Sequence, residues 1–541
     1  MLFDQEKESF FESEDYKKFF EANKSWLVPY AAFVYLREKN SSPEFRQWGK
    51  YSTYKKSAIS KLCSPSSKAW DDIAIHYFIQ YHLDKQMKEA AEYAREKGIV
   101  LKGDIPIGIS PNSVEAWTEP HLFNLNAQAG APPDDFAIKG QNWGFPTYNW
   151  QEMAQEDYSW WKNRLQKMAD YFDAYRIDHI LGFFRIWEIP LDAVEGTLGY
   201  FNPALPLTAH EISSYGIPFD YERMVKPYIR HHHLHGIFGI HTEEVIHKYL
   251  EADGYGTYRM KPGFDTQLKV NQHFLADKEE EDLSDKEKLI RDGLFQLIGN
   301  VLFIQTGEDE WHPRITLQST SSFAELDGHI KHQLEELYVH YFYKRHDDFW
   351  YQKGMEKLPA IISASNMLVC GEDLGMVPDC VPPVMDHLGI LTLEIQRMSK
   401  DPKVRFAHPA DAPYLSVCTT STHDMATIRG WWEEDRKLIQ DFYNNELGNF
   451  GAAPFFAEPW VCEEMIVQHL YSPAMWVTIP IQDLMAIDGG FRWNETHLEQ
   501  INDPSNVRHK WRFRMHQSIE ELKKVDKFND LLKSLVERSG R

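Results

Sequence analysis

Short apolar runs alternate with helical stretches along most of the chain. Apolar residues recur at helical spacing between the runs, and the runs themselves have the length of buried strands. Six strands are predicted, around residues 100–108, 174–180, 367–373, 391–397, 416–424 and 473–483. The clearest helix extends from Ala69 to Gly98, and the basic residues and glycine at its end are typical of a helix C-terminus.

Acidic residues follow several of the predicted strands. In a parallel (β/α)8 barrel the active site lies at the C-terminal ends of the strands, so this pattern predicts such a barrel. A closed barrel of this class has about eight strands, two more than the sequence shows. The shortage lies at the front, since residues 1–98 are predicted to be helical. We therefore expect an α/β fold, a modified (β/α)8 barrel that lacks its first two strands.

The second and third predicted strands are separated by far more residues than one βα unit needs. A large insertion is therefore expected between them. The predicted parts are a helical N-terminal part, a segment of barrel strands with a substrate loop, an inserted helical subdomain, and the remaining barrel with C-terminal helices. Their boundaries are residues 1–98, 99–190, 191–360 and 361–541.

Composition narrows the possible partners. The 541 residues are 43% hydrophobic and carry a formal net charge of -23, which disfavours nucleic acid and anionic membranes as partners. No apolar run approaches the roughly 20 residues that cross a bilayer, and the acidic start lacks a signal peptide's apolar segment. The five cysteines are scattered, which indicates reduced thiols. A cytoplasmic protein is therefore expected.

The stretch AYRIDHILGFFRIWEIP, residues 174–190, combines an apolar strand with charged residues. Because side chains alternate along a strand, Arg176 and Asp178 share one face, where the guanidinium favours an ionised carboxylate. An ionised carboxylate in a dry pocket can act as a nucleophile. A buried Arg–Asp pair that only stabilises the barrel is an equally good interpretation.

Three further acids stand at predicted strand ends. Glu372 lies in CGEDLG, Asp424 follows His423 in TSTHDMAT, and Asp104 lies in KGDIPIG. A protonated glutamate opposite an ionised aspartate, with about 5–5.5 Å between the carboxyl groups, is the arrangement of retaining glycosidases. Each acid also has a structural alternative: the N-terminal region of a helix for Glu372, a helix N-cap for Asp424, and a strand-end organiser for Asp104.

The loop KGQNWGFPTYNW has the composition of a sugar site. Gln141 and Asn142 offer amides for hydroxyl groups, while Trp143 and Tyr148 offer stacking faces. A packed structural loop is the alternative. The run RHHHLH, residues 230–235, lacks carboxylate or cysteine partners at ligand spacing and is interpreted as a surface cluster, not a metal site. Neither a P-loop nor GxGxxG is present, so no nucleotide cofactor is implied.

Taken together, these motifs resemble the 4-alpha-glucanotransferases of the amylomaltase, or disproportionating-enzyme, family. The similar blocks occur in the family's order and cover about residues 10 to 520; they are KGDIPIG, AGAPPDDF, GQNWGFPTYNW, YRIDHILGFFRIWEIP, GEDLG, STHD, IPIQDLMA, NDPSN and WRFR. The large insertion makes the chain look most similar to the plant cytosolic and related bacterial subtype.

The resemblance implies three catalytic acids: Asp178 as nucleophile, Glu372 as general acid/base and Asp424 as transition-state stabiliser. It implies no metal or organic cofactor. The residues expected to position or bind the substrate are Arg176, His423, Asp104, Trp143, Gln141, Asn142 and Tyr148.

The implied activity transfers α-1,4-glucosyl or maltosyl units from maltose or maltooligosaccharides to a glucan or glucose acceptor, with retention. A hydrolase with the same acids, and an inactive glucan-binding fragment or half of a split enzyme, are the alternatives. The family's first two barrel strands and any starch-binding modules are absent from the matched region. We expect a truncated product, a split protein that lacks an N-terminal segment, or a partial gene model. Such a chain would be unstable or weakly active alone, because an open barrel exposes sheet edges.

Overall fold

The computed structural model describes residues 2–134, 137–504 and 509–541, so the sequence blocks AGAPPDDF and NDPSN lie partly outside the described residues. Helices make up most of the first hundred residues and recur through the rest of the chain. They are α1 Leu2–Glu12, α2 Glu14–Lys39, α3 Lys56–Leu62, α4 Trp70–Glu96, α5 Val114–Thr118, α6 Trp150–Gln155, α7 Ser159–Met168, α8 Ala209–Ser214, α9 Tyr221–Met224, α10 His231–Phe238, α11 Thr242–Tyr249, α12 Gln267–Phe274, α13 Asp285–Ile298, α14 Ser321–Ala324, α15 Gly328–Tyr343, α16 Asp347–Ile362, α17 Val381–Leu388, α18 Ile428–Glu434, α19 Arg436–Asn445, α20 Pro459–Leu470, α21 Ile481–Met485, α22 Ile519–Leu522 and α23 Asp526–Ser539.

The strands are short and belong to several small sheets. They are β1 Lys102–Ile105, β2 Phe123–Asn124, β3 Ala127–Ala131, β4 Gln141–Asn142, β5 Thr147–Tyr148, β6 Ala174–Ile177, β7 Ile186–Pro190, β8 Tyr200–Asn202, β9 Ile229–Arg230, β10 Leu250–Gly254, β11 Thr257–Met260, β12 Phe303–Gly307, β13 Glu310–Pro313, β14 Leu368–Gly371, β15 Thr392–Ile395, β16 Ser416–Thr419 and β17 Trp476–Thr478.

Six parallel strands form the framework of the fold. β1, β6 and β14 make one ladder and β15, β16 and β17 another, both in chain order. A parallel bridge between Cys370 and Leu391 joins β14 to β15, so the six strands follow one another in an arc. Each lies within a predicted strand, which confirms the sequence-based count. Within the described residues, the outer edges of β1 and β17 have no partner strand.

The two middle strands of the ladders are buried on both faces. All four residues of β6 and all four of β16 are buried, as expected for parallel strands that are covered on both sides. Helices α7, α16 and α17 cover the first half of the arc with Trp161, Leu358 and Val384, which share one core with Tyr175 of β6.

The N-terminal helices α1 to α4 have an aromatic core of their own. Phe10, Phe19 and Phe33 pack there with Tyr77 and Phe78 of α4. Residues 2–98 contain helices and no strand in the described structure, as the sequence pattern indicated. The helix predicted over residues 69–98 is confirmed as α4.

Residues 191–360 are mixed α/β and not only helical, because they contain the strands β8 to β13 as well as helices. A separate small core joins residues 229–298, including Leu234 and Phe238 of α10. The flanking parts, including Phe201 and Trp350, pack into the barrel core instead. The division of the chain into four parts stays a prediction.

The structure also bears on the cysteines and on membrane-spanning segments. All five cysteines are free and buried. Within the described ranges, no helix combines the length and the apolarity that a membrane span requires.

Candidate active site

Four carboxylates predicted from the sequence meet at the C-terminal ends of the parallel strands. Asp104 lies near the end of β1, and Asp178 directly follows β6. Glu372 follows β14, and Asp424 lies in the loop after β16. Parallel strands present their C-terminal ends on the same side of a sheet, which is why residues far apart in sequence come together here.

Arg176 is the shared counter-ion of three of these acids. Its Nη1 donates to Oδ2 of Asp104 at 2.7 Å and lies 3.2 Å from Oδ1 of Asp178. Its Nη2 lies 3.8 Å from Oδ2 of Asp424. The predicted Arg176–Asp178 proximity is therefore present. Arg176 contacts Asp104 more closely, so it organises the cluster as a whole and not one nucleophile alone.

Backbone hydrogen bonds place the two carboxyl groups of the predicted pair. The N–H of Asp178 donates to the carbonyl of Ile105 at 3.2 Å, and the N–H of Glu372 donates to that of Ile177 at 2.9 Å. These bonds continue the strand ladder by one residue. They anchor Asp178 and Glu372 to neighbouring rigid strands.

Glu372 is in an environment that favours a protonated carboxyl group. Its side chain is 13% exposed, and burial raises its pKa to about 7, against the opposing effect of Arg176 and with a further contribution from Asp178. Its Oε2 accepts the N–H of His179 at 3.1 Å, and its Oε1 accepts the N–H of Leu374 at 3.1 Å. The next helix, α17, begins at Val381, so Glu372 does not lie at a helix N-terminus.

The turn after Asp178 is held in an uncommon conformation. His179 has a φ of 44°, in the left-handed region that non-glycine residues rarely occupy. This conformation directs its N–H at Glu372. Burial, with Arg185 and Arg176 adding to it, lowers the pKa of His179 to about 3, so the ring beside the acid is neutral.

The electrostatic expectation for Asp178 needs correction. From the sequence, Arg176 was expected to keep Asp178 ionised. Burial and the neighbouring carboxylates Asp104 and Asp424 raise the pKa of Asp178 above its usual value, although Arg176 opposes them. About a third of the side chain is exposed, which limits the effect of burial. Asp178 is therefore a more basic carboxylate than an isolated Arg–Asp pair would be.

Asp424 has a separate set of partners. Burial alone would raise its pKa, but hydrogen bonds from His423 and Asn502, together with Arg176, lower the pKa below its usual value. His423 Nε2 lies 3.1 Å from Oδ2, and Asn502 Nδ2 donates to Oδ1 at 2.7 Å. The hydrogen bond with Asp424 raises the pKa of His423. The N-cap of α18 is Thr427, so the helix-cap interpretation of Asp424 is wrong.

A cavity of about 380 Å³ lies over Asp178. Its walls are the segment 106–111 and the loop residues Trp143, Gly144 and Phe145. Trp143 also makes an edge-to-face contact with His179, with 5.0 Å between ring centroids. The predicted aromatic loop is therefore brought to the predicted nucleophile.

Other residues predicted from the same loop take part in packing within the protein. Gln141 Oε1 accepts the indole N–H of Trp143, and Asn142 donates to the carbonyl of Val194. Tyr148 is 7% exposed and lies among the core aromatics. These contacts match the alternative interpretation of a packed loop. Direct substrate binding by Gln141, Asn142 and Tyr148 stays a prediction.

The sequence interpretation gave no role to two groups near Asp424. Asp483 is fully buried, and its Oδ2 accepts the hydroxyls of Thr420 and Ser421 at 2.6 and 2.7 Å. It thereby holds the loop that carries Asp424. The ring of Trp511 lies 4.8 Å from that of His423 and is largely exposed. Asp483 lies in the motif IPIQDLMA and Trp511 in the motif WRFR. Their presence in family motifs was the feature of the sequence that could have indicated a role.

The histidine run has a partner far away in the sequence, and its interpretation as a surface cluster stays a prediction. Its histidines do have a carboxylate partner, Glu325, about ninety residues later in the chain. Among the described residues, His232, His233 and Glu325 are the group whose atoms could hold a metal ion. None of them belongs to the carboxylate cluster.

Comparison with known proteins identifies the family of the chain. The model of the 4-alpha-glucanotransferase family (Glyco_hydro_77) matches residues 1–520. The chain belongs to the 4-alpha-glucanotransferase family. The family resemblance of the sequence motifs is thereby confirmed.

Several curated relatives carry the same name. The rice (Oryza sativa subsp. japonica) 4-alpha-glucanotransferase DPE2 is 42% identical over 542 residues, which cover 100% of this chain and 57% of the relative. The Chlamydia caviae 4-alpha-glucanotransferase is 24% identical over 519 residues, which cover 95% of this chain and 69% of the relative. The chain thus spans little more than half the length of the rice protein.

The fold is similar to that of solved amylomaltases. Amylomaltase from Streptococcus agalactiae, solved in complex with acarbose, superimposes with a TM-score of 0.60 at 19% identity; the match covers 100% of this chain and 78% of that one. Amylomaltase from Corynebacterium glutamicum superimposes with a TM-score of 0.52 at 14% identity. That match covers 97% of this chain and 56% of the amylomaltase chain. The α/β barrel architecture is shared at these levels of identity.

Proposed function

We propose that the chain carries the catalytic centre of a 4-alpha-glucanotransferase that acts on maltose or maltooligosaccharides. The observation that carries the proposal is the pair of carboxyl groups on neighbouring strand ends. Glu372 holds its proton up to about pH 7, while Asp178 lies 3.2 Å from Arg176. Retaining glycoside chemistry needs one carboxyl group that donates a proton and one that attacks as an anion.

The first half of the reaction cleaves the donor. The carboxyl group of Glu372 gives its proton to the glycosidic oxygen while a carboxylate oxygen of Asp178 attacks the anomeric carbon. The bond between that carbon and the glycosidic oxygen breaks, and an ester bond to Asp178 forms. The shortened glucan leaves with the proton. Charge that develops on the sugar ring faces Asp424, whose carboxylate form is favoured by its partners His423 and Asn502.

The second half transfers the bound sugar. Glu372, now a carboxylate, removes the proton from a hydroxyl of the acceptor, and the acceptor oxygen attacks the anomeric carbon. The ester bond to Asp178 breaks and Glu372 regains its proton. Both groups thus return to their starting states, so no external reactant is consumed.

Aromatic rings near Asp178 and near His423 support a sugar substrate. Trp143 and Phe145 line the cavity over Asp178, and the exposed Trp511 lies beside His423. Aromatic faces stack on the apolar faces of sugar rings, and sugar bound beyond the nucleophile competes with water for the intermediate. We infer that these rings form donor and acceptor subsites and thereby favour transfer over hydrolysis.

Incubation of the purified chain with maltotriose tests the proposal. Maltotetraose and longer chains together with shorter products, detected by chromatography, are expected from transfer. Asp178→Asn should abolish them, and the surface variant Glu92→Gln should not change them. Only glucose and maltose would indicate a hydrolase. No reaction by a chain whose circular dichroism shows it to be folded would contradict catalysis by this chain alone.

A further inference from the structure

Three metal-binding side chains meet where α10 approaches the end of α14. Nε2 of His232 and Nε2 of His233 each lie 2.6 Å from the same oxygen, Oε1 of Glu325. All three atoms lie within 4.8 Å of one another. Two imidazoles that converge on one carboxylate oxygen bring together the ligand types found in zinc sites.

We propose that His232, His233 and Glu325 bind one divalent transition-metal ion, for which Zn²⁺ is the natural probe. Zinc takes imidazole nitrogen and carboxylate oxygen at about 2.0–2.2 Å, and three protein ligands leave a position for water. Tetrahedral ligands at this distance are roughly 3.3 Å apart, so the atoms must separate by about 0.7 Å. The His232 side chain is 66% exposed and can rotate to allow this.

The surroundings orient the carboxylate for this role. The hydroxyl of Tyr228 donates to the other oxygen, Oε2, at 2.6 Å, which leaves Oε1 directed at the histidines. Hydrogen bonds of this kind fix the orientation of metal ligands. Without a metal, the two rings can satisfy Oε1 only with N–H groups. A metal ion at this position would bind Nε2 of each neutral ring, and the ring proton would then lie on Nδ1.

Nearby positive charge opposes a dication and limits its affinity. The guanidinium groups of Arg223 and Arg230 lie 3.8 and 4.2 Å from the centroid of the Tyr228 ring. Arg223 is held there by hydrogen bonds to the hydroxyl and carbonyl oxygens of Ser322. Binding is therefore expected to be weaker than at a thiolate site, and sensitive to the loss of any ligand.

The position of the ligands indicates a structural role. Leu234 and Phe238 follow the two histidines on α10 and belong to the small core of residues 229–298. Glu325 lies between Phe323 and Leu326, which pack in or against the barrel core. A bound metal would therefore connect two hydrophobic cores that are otherwise separate clusters, and it should stabilise the inserted region against the barrel.

Calorimetric titration of the purified chain with Zn²⁺ tests the site. We expect the parent to bind one equivalent of Zn²⁺ with a saturable isotherm. The affinity for Zn²⁺ should fall at least ~10-fold in His233→Ala and in Glu325→Gln. His231→Ala is the matched control. Nδ1 of His231 lies 3.1 Å from the hydroxyl oxygen of Tyr258, and His231 does not belong to the metal-binding group. This variant should bind as the parent does. Circular dichroism shows whether each variant is folded.

Thermal melting gives an independent readout. A ligand that binds only the folded state raises its stability, so Zn²⁺ should raise the Tm of the parent and of His231→Ala but not that of Glu325→Gln. The proposal fails if no equivalent binds. It also fails if all four proteins give the same isotherm, since the metal would then bind at other histidines.

Discussion

Substitution of Glu372 by glutamine should stabilise the protein while it removes activity. Burial raises the pKa of Glu372 from 4.5 to about 7. The folded state therefore favours the protonated form, and ionisation of this group destabilises the folded state. Below pH 4.5 the group is protonated in both states and there is no penalty. The penalty grows between pH 4.5 and 7 and is complete above pH 7.

The magnitude follows from this pKa difference. At about 1.36 kcal/mol per pH unit, the full penalty is roughly 3 kcal/mol, and screening removes little of it because the side chain is mostly buried. Between pH 5 and pH 8 the penalty increases by about 2.5 kcal/mol. An unfolding entropy of ~2.1 cal/mol/K per residue converts this to a Tm difference of about 2 °C for the whole chain.

Thermal melts of the parent and of Glu372→Gln at pH 5 and pH 8 measure the effect. The glutamine has one acceptor fewer for the N–H groups of His179 and Leu374, but that cost is the same at both pH values. The Tm of the variant minus that of the parent should therefore be higher at pH 8 by about 2 °C. Glu92 is an exposed residue of α4, so Glu92→Gln is the control and should give no such increase. A difference that is constant with pH, or larger at pH 5, would refute the assignment of Glu372 as a buried acid.

Three further predictions concern the electrostatics and shape of the site. Arg176 lowers the pKa of Asp178 and of Glu372. If these are the catalytic carboxyl groups, Arg176→Gln should move both limbs of the pH profile of kcat/KM to higher pH; unchanged limbs would contradict its role as shared counter-ion. Asn502→Ala removes a hydrogen bond to the charged Asp424, worth about 1.5–3 kcal/mol, so kcat should fall ~10- to 100-fold in steady-state assays with a smaller change in KM. Gly108→Ala would place a methyl group 2.2 Å from the Phe145 ring in the cavity wall, so KM for maltotriose should rise; an unchanged KM would exclude this wall as a subsite.

Much of the framework could be predicted because it depends on local pattern. Apolar runs of strand length became the six parallel strands, and the long amphipathic stretch became α4. The acids at strand ends could be located by the same argument, since the C-terminal ends of parallel strands lie on one side. The strands of the insertion were harder to predict from the sequence, because strands such as β12 and β13 have few residues and weak periodicity.

Electrostatic detail could not be obtained from spacing. A pKa depends on every charge and on all the solvent excluded around a group. The pair Arg176 and Asp178 suggested a strongly ionised nucleophile, yet Asp104 and Asp424, which are distant in sequence, counteract the arginine. Glu325 likewise reaches the histidines from about ninety residues away. No local motif contains that information.

The sequence by itself determined the family, the parallel framework and the location of the four acids at strand ends, because these follow from short motifs and from the alternation of strands and helices. Only the tertiary structure decided which groups share Arg176, why Glu372 keeps its proton near neutral pH, and how Asp483 supports the loop of Asp424. The physical reason is that strand formation depends on neighbours along the chain, whereas the ionisation of a group depends on its neighbours in space.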